Sequence, residues 1–254
     1  MFNANNYIID RVRRVTQVSL VTGLVDWTAT SIESPQIEFT GESVEKTDAY
    51  GVLLSKVDTA KGVNFSGEAS VLSIPLMASQ LGTDVQVATE DAKLTGKTFE
   101  VINVTNGTAT LTYTPKTAPA YVYSLSADKN IDSYISVGVE DGNAQVDGQT
   151  VTMPADFTGT MIGVLYEYET SAAVKVVNRS EEFAEAAQYI VDILAQDVCN
   201  PAIKRAGSIV FPKAKIDNNF TVDLTTEGTH PFSFSALKDY CSEDAELCYI
   251  IWNE

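Results

Sequence analysis

The stretch FEVINVTNGTATLTYT, residues 99–114, determines the fold class that we expect for this chain. Two runs of alternating side chains, Phe99 to Val104 and Thr108 to Thr114, flank the dipeptide Asn106-Gly107. Period-2 alternation that is rich in threonine, valine and aromatic residues is typical of β-strands. Asn-Gly between two such runs is the strongest short indication of a hairpin turn. The stretch therefore predicts a β-hairpin with its apolar side chains on one face.

The same pattern continues towards the C-terminus. Ala144 to Val146 and Gln149 to Met153 flank Asp147-Gly148 in the same way, and Gly159 to Thr170 is a longer predicted strand. Because alternate side chains of a strand share a face, one face of this longer strand carries Ile162, Val164, Tyr166 and Tyr168.

The N-terminal third of the chain also alternates. A first hairpin is predicted from Val25 to Phe39 with its turn near Ser34-Pro35, and a second from Tyr50 to Gly67. The polar stretch between Phe39 and Tyr50 is predicted to be a loop or an extended hairpin tip.

A short helix is predicted over about residues 73–81. Ser73 can cap its N-terminus, Pro75 suits a first helical turn, and Gly82 follows the last apolar residue. We expect this helix to pack against the core.

A longer amphipathic helix is predicted over about residues 181–198. Glu181 and Glu182 follow Ser180 at its start, as in a capping sequence, and Asn200-Pro201 would end it. We expect the helix to lie across a sheet. The predicted fold class is thus mainly β, a sandwich or barrel, with one long and one short helix. The long helix rests on apolar residues at helical spacing: Phe183, Ala186, Ala187, Ile190, Ile193, Leu194 and Val198.

The chain is strongly acidic, with 34 acidic and 17 basic residues and a formal net charge of -17. Phosphate binding depends on lysine and arginine that displace counterions, so the charge argues against tight non-specific binding to nucleic acid. Two interpretations stay open: the charge serves solubility alone, or it forms a surface past which DNA moves without sticking.

The densest basic cluster lies near the N-terminus, at Arg11, Arg13 and Arg14. It is either a solvated arm or an arm that docks on an acidic neighbour. The arginines follow the apolar residues, whereas a signal peptide has its charge before them. Together with the lack of an apolar run of about 20 residues, this predicts a protein that is made and kept in a cytoplasm.

Residues that usually carry out reactions are scarce. The only histidine, His230, is predicted to be a turn or edge residue, and the three cysteines form no metal-ligand cluster. Glu167 and Glu169 share a strand face at about 7 Å, a spacing that overlaps glycosidase geometry, but a solvated strand face is the favoured interpretation. We therefore predict no enzyme activity, no cofactor and no metal.

The order of the elements resembles the major tail, or tail-tube, proteins of long-tailed bacteriophages. The resemblance covers most of the chain. It rests on the short helix ending ASQLGT (78–83), the strand VLYEY (164–168), FPKAK (211–215) and FSFSAL (232–237).

The resemblance implies a structural virion protein that is assembled in the host cytoplasm. Such subunits form six-membered rings that stack into a hollow tube, whose channel lets DNA leave the virion without binding it specifically. Their partners are copies of themselves and other tail proteins, with no cofactor and no membrane. It also implies a tube core of residues 1–94 and 172–254, with an inserted or appended β subdomain at 95–171.

Two groups of candidate residues follow from the resemblance. Loops and N-terminal arms of such subunits reach into the neighbouring ring, so the candidates for contact between rings are Arg11, Arg13 and Arg14. An acidic channel would repel phosphates, and the candidates for its lining are Glu33, Glu38 and Glu42.

Two other functions remain as alternatives. The first is another virion component, such as a head decoration or tail-terminator protein, which shares the acidity and the β content. The second is a carbohydrate-binding or carbohydrate-cleaving β protein, suggested by the tyrosine-rich strand and the paired acids. Exposure of Tyr166 and Tyr168 beside a groove would favour this second alternative, and their burial would count against it.

Overall fold

The computed structural model describes residues 7–200, 202–240 and 246–252. Strands dominate it, and the described residues contain one short helix. The chain divides into two compact units, residues 1–85 with 176–254 (unit 1) and residues 86–175 (unit 2).

Unit 1 contains eight strands and the helix in the described part of the chain. They are, in order, β1 (Tyr7–Ser19), β2 (Val25–Ala29), β3 (Ile32–Thr47), β4 (Leu53–Ala69), α1 (Ile74–Leu81), β14 (Ala186–Asp197), β15 (Lys204–Ile216), β16 (His230–Ala236) and β17 (Tyr249–Trp252).

The strands of unit 1 form one sheet that curls around its core. Its order is β2-β1-β14-β15-β16-β4-β3, with β17 pairing to β15 off this path. Three strands separate β2 from β16 in this order, which in a flat sheet would place them about 19 Å apart. Instead, the ring centroids of Trp27 in β2 and Phe232 in β16 are 5.7 Å apart. The inner face of the sheet is therefore apolar and largely closed, with Phe65, Tyr189, Phe211 and Phe234 among its buried side chains.

The short helix α1 is confirmed, and its ends match the sequence pattern. The Ser73 side chain accepts a hydrogen bond from the backbone N–H of Leu76, and Pro75 lies in the first turn. Gly82 closes the helix in the left-handed region, at φ 70°. A serine cap and a left-handed C-terminal glycine satisfy backbone groups that a helix end leaves unpaired.

The long helix predicted over residues 181–198 is wrong, because Ala186–Asp197 forms strand β14. This strand pairs with β1 on one side and with β15 on the other. A central strand reads as a nearly continuous apolar run, since both of its faces are covered to some degree. Its fully buried face is Ala187, Tyr189, Val191, Ile193 and Ala195.

The predicted N-terminal hairpins are also corrected. Strand β3 runs through Ser34-Pro35 with a local irregularity instead of a turn, and it pairs with β4 rather than with β2. The polar stretch after Phe39 is the extended hairpin tip that the sequence offered as one of two possibilities. Strands β3 and β4 thus form one long hairpin that turns at residues 48–52.

Unit 2 is built from two sheets of strands around a separate core, with a two-stranded ribbon of β5 and β13. One sheet has the order β6-β12-β8-β9 and the other β10-β11-β7. Buried side chains from both sheets, such as Val164 and Val151, belong to the same cluster. Its strands are β5 (Gln86–Val87), β6 (Leu94–Asn103), β7 (Thr108–Thr110), β8 (Tyr121–Leu125), β9 (Ile131–Ser136), β10 (Gln145–Asp147), β11 (Thr150–Thr152), β12 (Met161–Thr170) and β13 (Val174–Lys175).

The two predicted tight turns of unit 2 behave differently. The Asp147-Gly148 hairpin is confirmed, since Asp147 faces Thr150 across β10 and β11. At Asn106-Gly107 the turn also forms, with φ values of 51° and 75°. Its flanking strands then part, because β6 pairs with β12 and β7 with β11. The turn therefore carries the chain from one sheet to the other.

Candidate assembly surfaces

The outer half of the β3–β4 hairpin has no support from the rest of the described chain. All its residues, 39–61, are exposed except Asp48, which is half-buried. Its side-chain bonds are internal, such as Lys56 to Glu45 and the Thr59 hydroxyl to the carbonyl of Glu42. We call residues 39–61 the arm. A two-stranded hairpin alone is marginally stable in water, so the arm is suited to contact another molecule.

The arm carries apolar side chains that a purely solvated hairpin does not need. Each is at least half exposed, and a run of exposed apolar residues marks an interaction surface. They are Phe39, Val44, Tyr50, Val52, Leu53, Leu54 and Val57. No period-2 pattern joins them in the sequence, since Val52, Leu53 and Leu54 are consecutive.

The turn at the end of the arm is well defined. The Asp48 carboxylate accepts hydrogen bonds from the backbone N–H groups of Tyr50 and Val52, at 2.9 and 2.8 Å. Gly51 lies at φ 81°, a value that glycine adopts readily. The turn therefore presents Tyr50, which is 93% exposed.

The outer face of β3, β4 and β16, which we call the polar face, lies opposite the core. Cross-strand partners define it: Glu38 faces Asn64, which faces Ser235, while the inner face has Phe65 beside Phe234. The same alternation places hydroxyl, amide and carboxylate groups along all three strands. The polar face consists of Glu33, Gln36, Glu38, Asn64, Ser66, Glu68, Ser233 and Ser235.

The three predicted channel residues lie on β3 and share this side of it. Glu33 faces Glu68, Glu38 faces Asn64, and Glu42 follows on the same side where the arm begins. Glu33 accepts a hydrogen bond from the Ser70 hydroxyl at 2.7 Å. Among the described residues, none of the three forms an ion pair. The structure thus gathers them on one acidic surface.

Strand β1 carries the predicted basic cluster at an edge of the sheet. Strand β2 pairs only with residues 15–18 of β1, so residues 8–14 have β14 on one side and no strand of the described chain on the other. Arg14 is bound within the chain, with its Nη2 2.6 Å from Asp192 Oδ2. Arg11 and Arg13 are exposed and form no ion pair with described residues.

His230 is buried, so the prediction that it is a turn or edge residue is wrong. Gln80 donates its amide N–H to the carbonyl of Pro231, which leaves Gln80 Oε1 to accept from His230 Nε2 at 2.7 Å. The backbone N–H of Ser73 then donates to Nδ1 at 3.4 Å. Burial lowers the pKa of His230. With both ring nitrogens bonded in the core, this histidine joins α1 to β16 and is not exposed to substrate.

The surroundings of the tyrosine-rich strand of unit 2 count against a carbohydrate groove. Tyr166 is buried, and its hydroxyl donates to Glu100 Oε2 at 2.6 Å. Burial raises the pKa of Tyr166 to about 12. Tyr168 stacks on Tyr113 with ring centroids 4.0 Å apart, so their facing surfaces cover each other.

The paired acids of β12 each face a lysine. Glu167 lies 3.6 Å from Lys97, and Glu169 lies 2.6 Å from Lys116. The hydrogen bond from Lys116 lowers the pKa of Glu169, whereas a general acid of a glycosidase needs a raised pKa. These contacts favour the interpretation of a solvated strand face.

Neither a metal cluster nor a membrane helix is found in the part of the chain that the structure describes. No group of three or more His, Cys, Asp or Glu residues there could hold a metal ion. No described helix is long and apolar enough to cross a membrane.

The arrangement defines a β-rich protein whose notable surfaces, among the described residues, are an unsupported arm, an acidic face and open strand edges. The model of the YomU/Tube protein family matches residues 8–250. The chain belongs to the YomU/Tube protein family. The family name indicates a tube-like structural component of a phage virion. Among curated proteins, none matches this chain.

Proposed function

We propose that copies of this protein join into rings, six copies to a ring, which stack into a tail tube through which DNA is ejected. The observation that carries the proposal is the arm. Its strands are formed and its turn is held by Asp48, yet its apolar side chains have no partner in the described part of their own chain. Another copy of the chain would cover them.

The polar face supports a role as the channel lining. Glu33 and Glu38 lie on it, and Glu42 follows on the same side of β3. None of the three forms an ion pair with a described residue, and Glu33 faces a further carboxylate, that of Glu68. Carboxylates repel the phosphates of DNA, and uncompensated lysine or arginine would retain them. In this proposal the acidity of the chain serves the passage of DNA.

The self-association residues that we propose are Arg11 and Arg13 at the open part of β1. Arg14 already has its partner in Asp192 and supports the strand from within. We also propose that unit 2 is an inserted subdomain of the tube subunit. Its first and last strands pair with each other, Val87 with Val174, so its two chain ends lie side by side.

Electron microscopy of the purified protein at high concentration tests the proposal. We expect rings or tubes about 100 Å wide, the scale of six such domains around a channel. The matched variant replaces residues 42–60 by Asn-Gly, which joins Gly41 to Lys61 where they face each other in the ladder. We expect it to fold but to form no tubes. A wild-type protein that stays monomeric at every concentration would contradict the proposal.

A further inference from the structure

We propose that adjacent subunits of the ring join through two specific strand edges, with β1 of one copy beside β3 of the next and Arg11 paired with Glu42. The inference rests on the proposed function and adds the surfaces that meet. It is carried by where the open edges lie, by their charges and by the faces of their side chains.

The two edges lie at opposite ends of the strand order of the unit 1 sheet, although the sheet curls so that parts of β1 and β3 come near each other within one chain. The sheet order begins with β2-β1 and ends with β3. β1 is open along residues 8–14, and among the described strands β3 pairs only with β4. Open strand edges attract other strands. Because the edges differ, joining them is a head-to-tail contact, which repeats into a ring when its rotation closes.

The charges of the two strands are complementary. β1 carries three arginines against one aspartate, Asp10, which lies 3.6 Å from Lys204. β3 carries four glutamates against one lysine, Lys46. Opposite charges attract across an interface, and like charges brought together there repel each other. Two β1 edges or two β3 edges would repel each other, so the charges favour the head-to-tail contact.

The side chains also lie on matching faces. On β1, Ile8 faces Gln196 and Arg11 faces Leu194, on the side of β14 opposite its buried residues. On β3, Glu42 and Val44 lie on the same side as Glu38. If the two sheets continue into each other, these side chains share one surface.

If β1 of one copy runs antiparallel to β3 of the next, one register brings together both an apolar pair and a charged pair. The register of β1 shifts between Ile9 and Arg11, so Asp10 is the extra residue of a bulge. Placing Ile8 opposite Val44 then puts Arg11 opposite Glu42. Ile8 and Val44 are each 61% exposed in the single chain, and this contact would cover both.

The pairing also keeps the channel surface acidic. Arg11 and Arg14 point to the same side of β1, since their partners on β14 are Leu194 and Asp192. Asp192 neutralises Arg14, and Glu42 of the next copy would neutralise Arg11. Glu33 and Glu38 would stay uncompensated, so no unpaired arginine of this set would face the phosphates of DNA.

Charge exchange between the two positions tests the pairing. We expect Arg11→Glu and Glu42→Arg each to raise the protein concentration needed for assembly about tenfold or more. We expect the chain that carries both substitutions to assemble as the wild type does. An equimolar mixture of the two single variants should also assemble, because alternating copies restore every contact. Asp141→Arg, an exposed position of unit 2, makes the same charge change as Glu42→Arg and should assemble normally.

The outcomes separate this inference from the proposed function. A wild type that never assembles overturns both. If the wild type assembles and the single variants do so equally well, the inference is overturned and the proposed function stands. If the single variants fail and neither the double variant nor the mixture recovers, the pairing is likewise overturned. Both side chains are exposed, so all variants should keep the wild-type thermal unfolding midpoint.

Discussion

The two halves of the β3–β4 hairpin have the same ladder of hydrogen bonds but opposite surroundings. In the inner half, Val63 and Phe65 are buried and alternate with half-buried polar residues. In the outer half, Val44 and Val57 face each other and are both about 60% exposed. The ladder runs from one half to the other with three register shifts, one near Ser34-Pro35, one after Glu42 and one after Lys46.

The difference shows that strand formation and burial are separate requirements. The inner half is stabilised by the core of its own unit, where aromatic side chains contact each other. The arm satisfies its backbone by pairing, but it has no core of its own. Substitutions in the two halves should therefore affect different quantities, stability in the first and assembly in the second.

The largest effect on stability is expected for Phe65→Ala in the inner half. Phe65 is buried and stacks on Phe234 with ring centroids 5.1 Å apart. Removing a buried phenylalanine ring costs about 3–5 kcal/mol. Urea denaturation of the monomer measures the loss. A loss below about 1 kcal/mol would mean that the inner half is not supported by the core.

Gln17→Leu should have the next largest effect, a loss of about 2–3 kcal/mol in the free energy of unfolding. The Gln17 Oε1 accepts hydrogen bonds from Trp27 Nε1 at 2.6 Å, the Ser79 hydroxyl at 2.6 Å and the Tyr189 hydroxyl at 2.9 Å. The substitution leaves these donors unpaired in the core. Gln36→Leu, on the exposed polar face, is the matched control and should change the free energy of unfolding by less than about 0.5 kcal/mol. Equal losses for the two variants would contradict this account.

His230 should make stability depend on pH at the inner end of the hairpin, where it faces Ala69. Burial lowers the pKa of His230 in the folded state, so the unfolded chain binds the proton first. The contribution of neutral His230 to the free energy of unfolding is complete above about pH 6.5. It decreases as the pH falls, by at most about 1.4 kcal/mol per pH unit.

Urea midpoints between pH 7.5 and 5.5 measure this dependence. We expect His230→Gln to remove the slope, because the chain has no other histidine. The arm contains no histidine, so its variants should keep the wild-type slope. A slope that persists in His230→Gln would show that another group is responsible.

The sequence was sufficient where local chemistry decides the structure. Ser73, Pro75 and Gly82 fix the ends of α1 through its own backbone, and Asp147-Gly148 fixes a turn. It was insufficient where pairing with strands that are distant in the sequence decides the structure. Ala186–Asp197 alternates like a strand and is also spaced like a helix, and pairing with β1 and β15 settles the outcome.

The candidate surfaces show the same division. Glu33, Glu38 and Glu42 were selected as acidic residues, but their common side depends on the irregularity near Ser34-Pro35, which no local pattern revealed. The sequence predicts a polar stretch between Phe39 and Tyr50 and a separate hairpin from Tyr50 to Gly67, where the structure has a single long hairpin. The apolar side chains of the arm can be recognised as unsupported only once the partner strands are known, because an apolar residue in a predicted strand does not reveal what covers it.

The smallest effect on stability is expected in the arm, from Leu54→Ser and Val57→Ser. Both side chains are about 60% exposed, and exposed substitutions usually change stability by less than about 0.5 kcal/mol. The same variants should abolish tube formation, because the arm would lose the apolar surface that another copy covers. Urea denaturation and electron microscopy of the same preparations measure the two quantities, and Lys61→Ser, at the base of the arm, is the control for both. An arm variant that unfolds early would mean that the hairpin is supported by its own chain. An arm variant that assembles normally would mean that these apolar side chains do not form the contact between copies. The two halves of the hairpin would then differ in burial but not in their role in assembly.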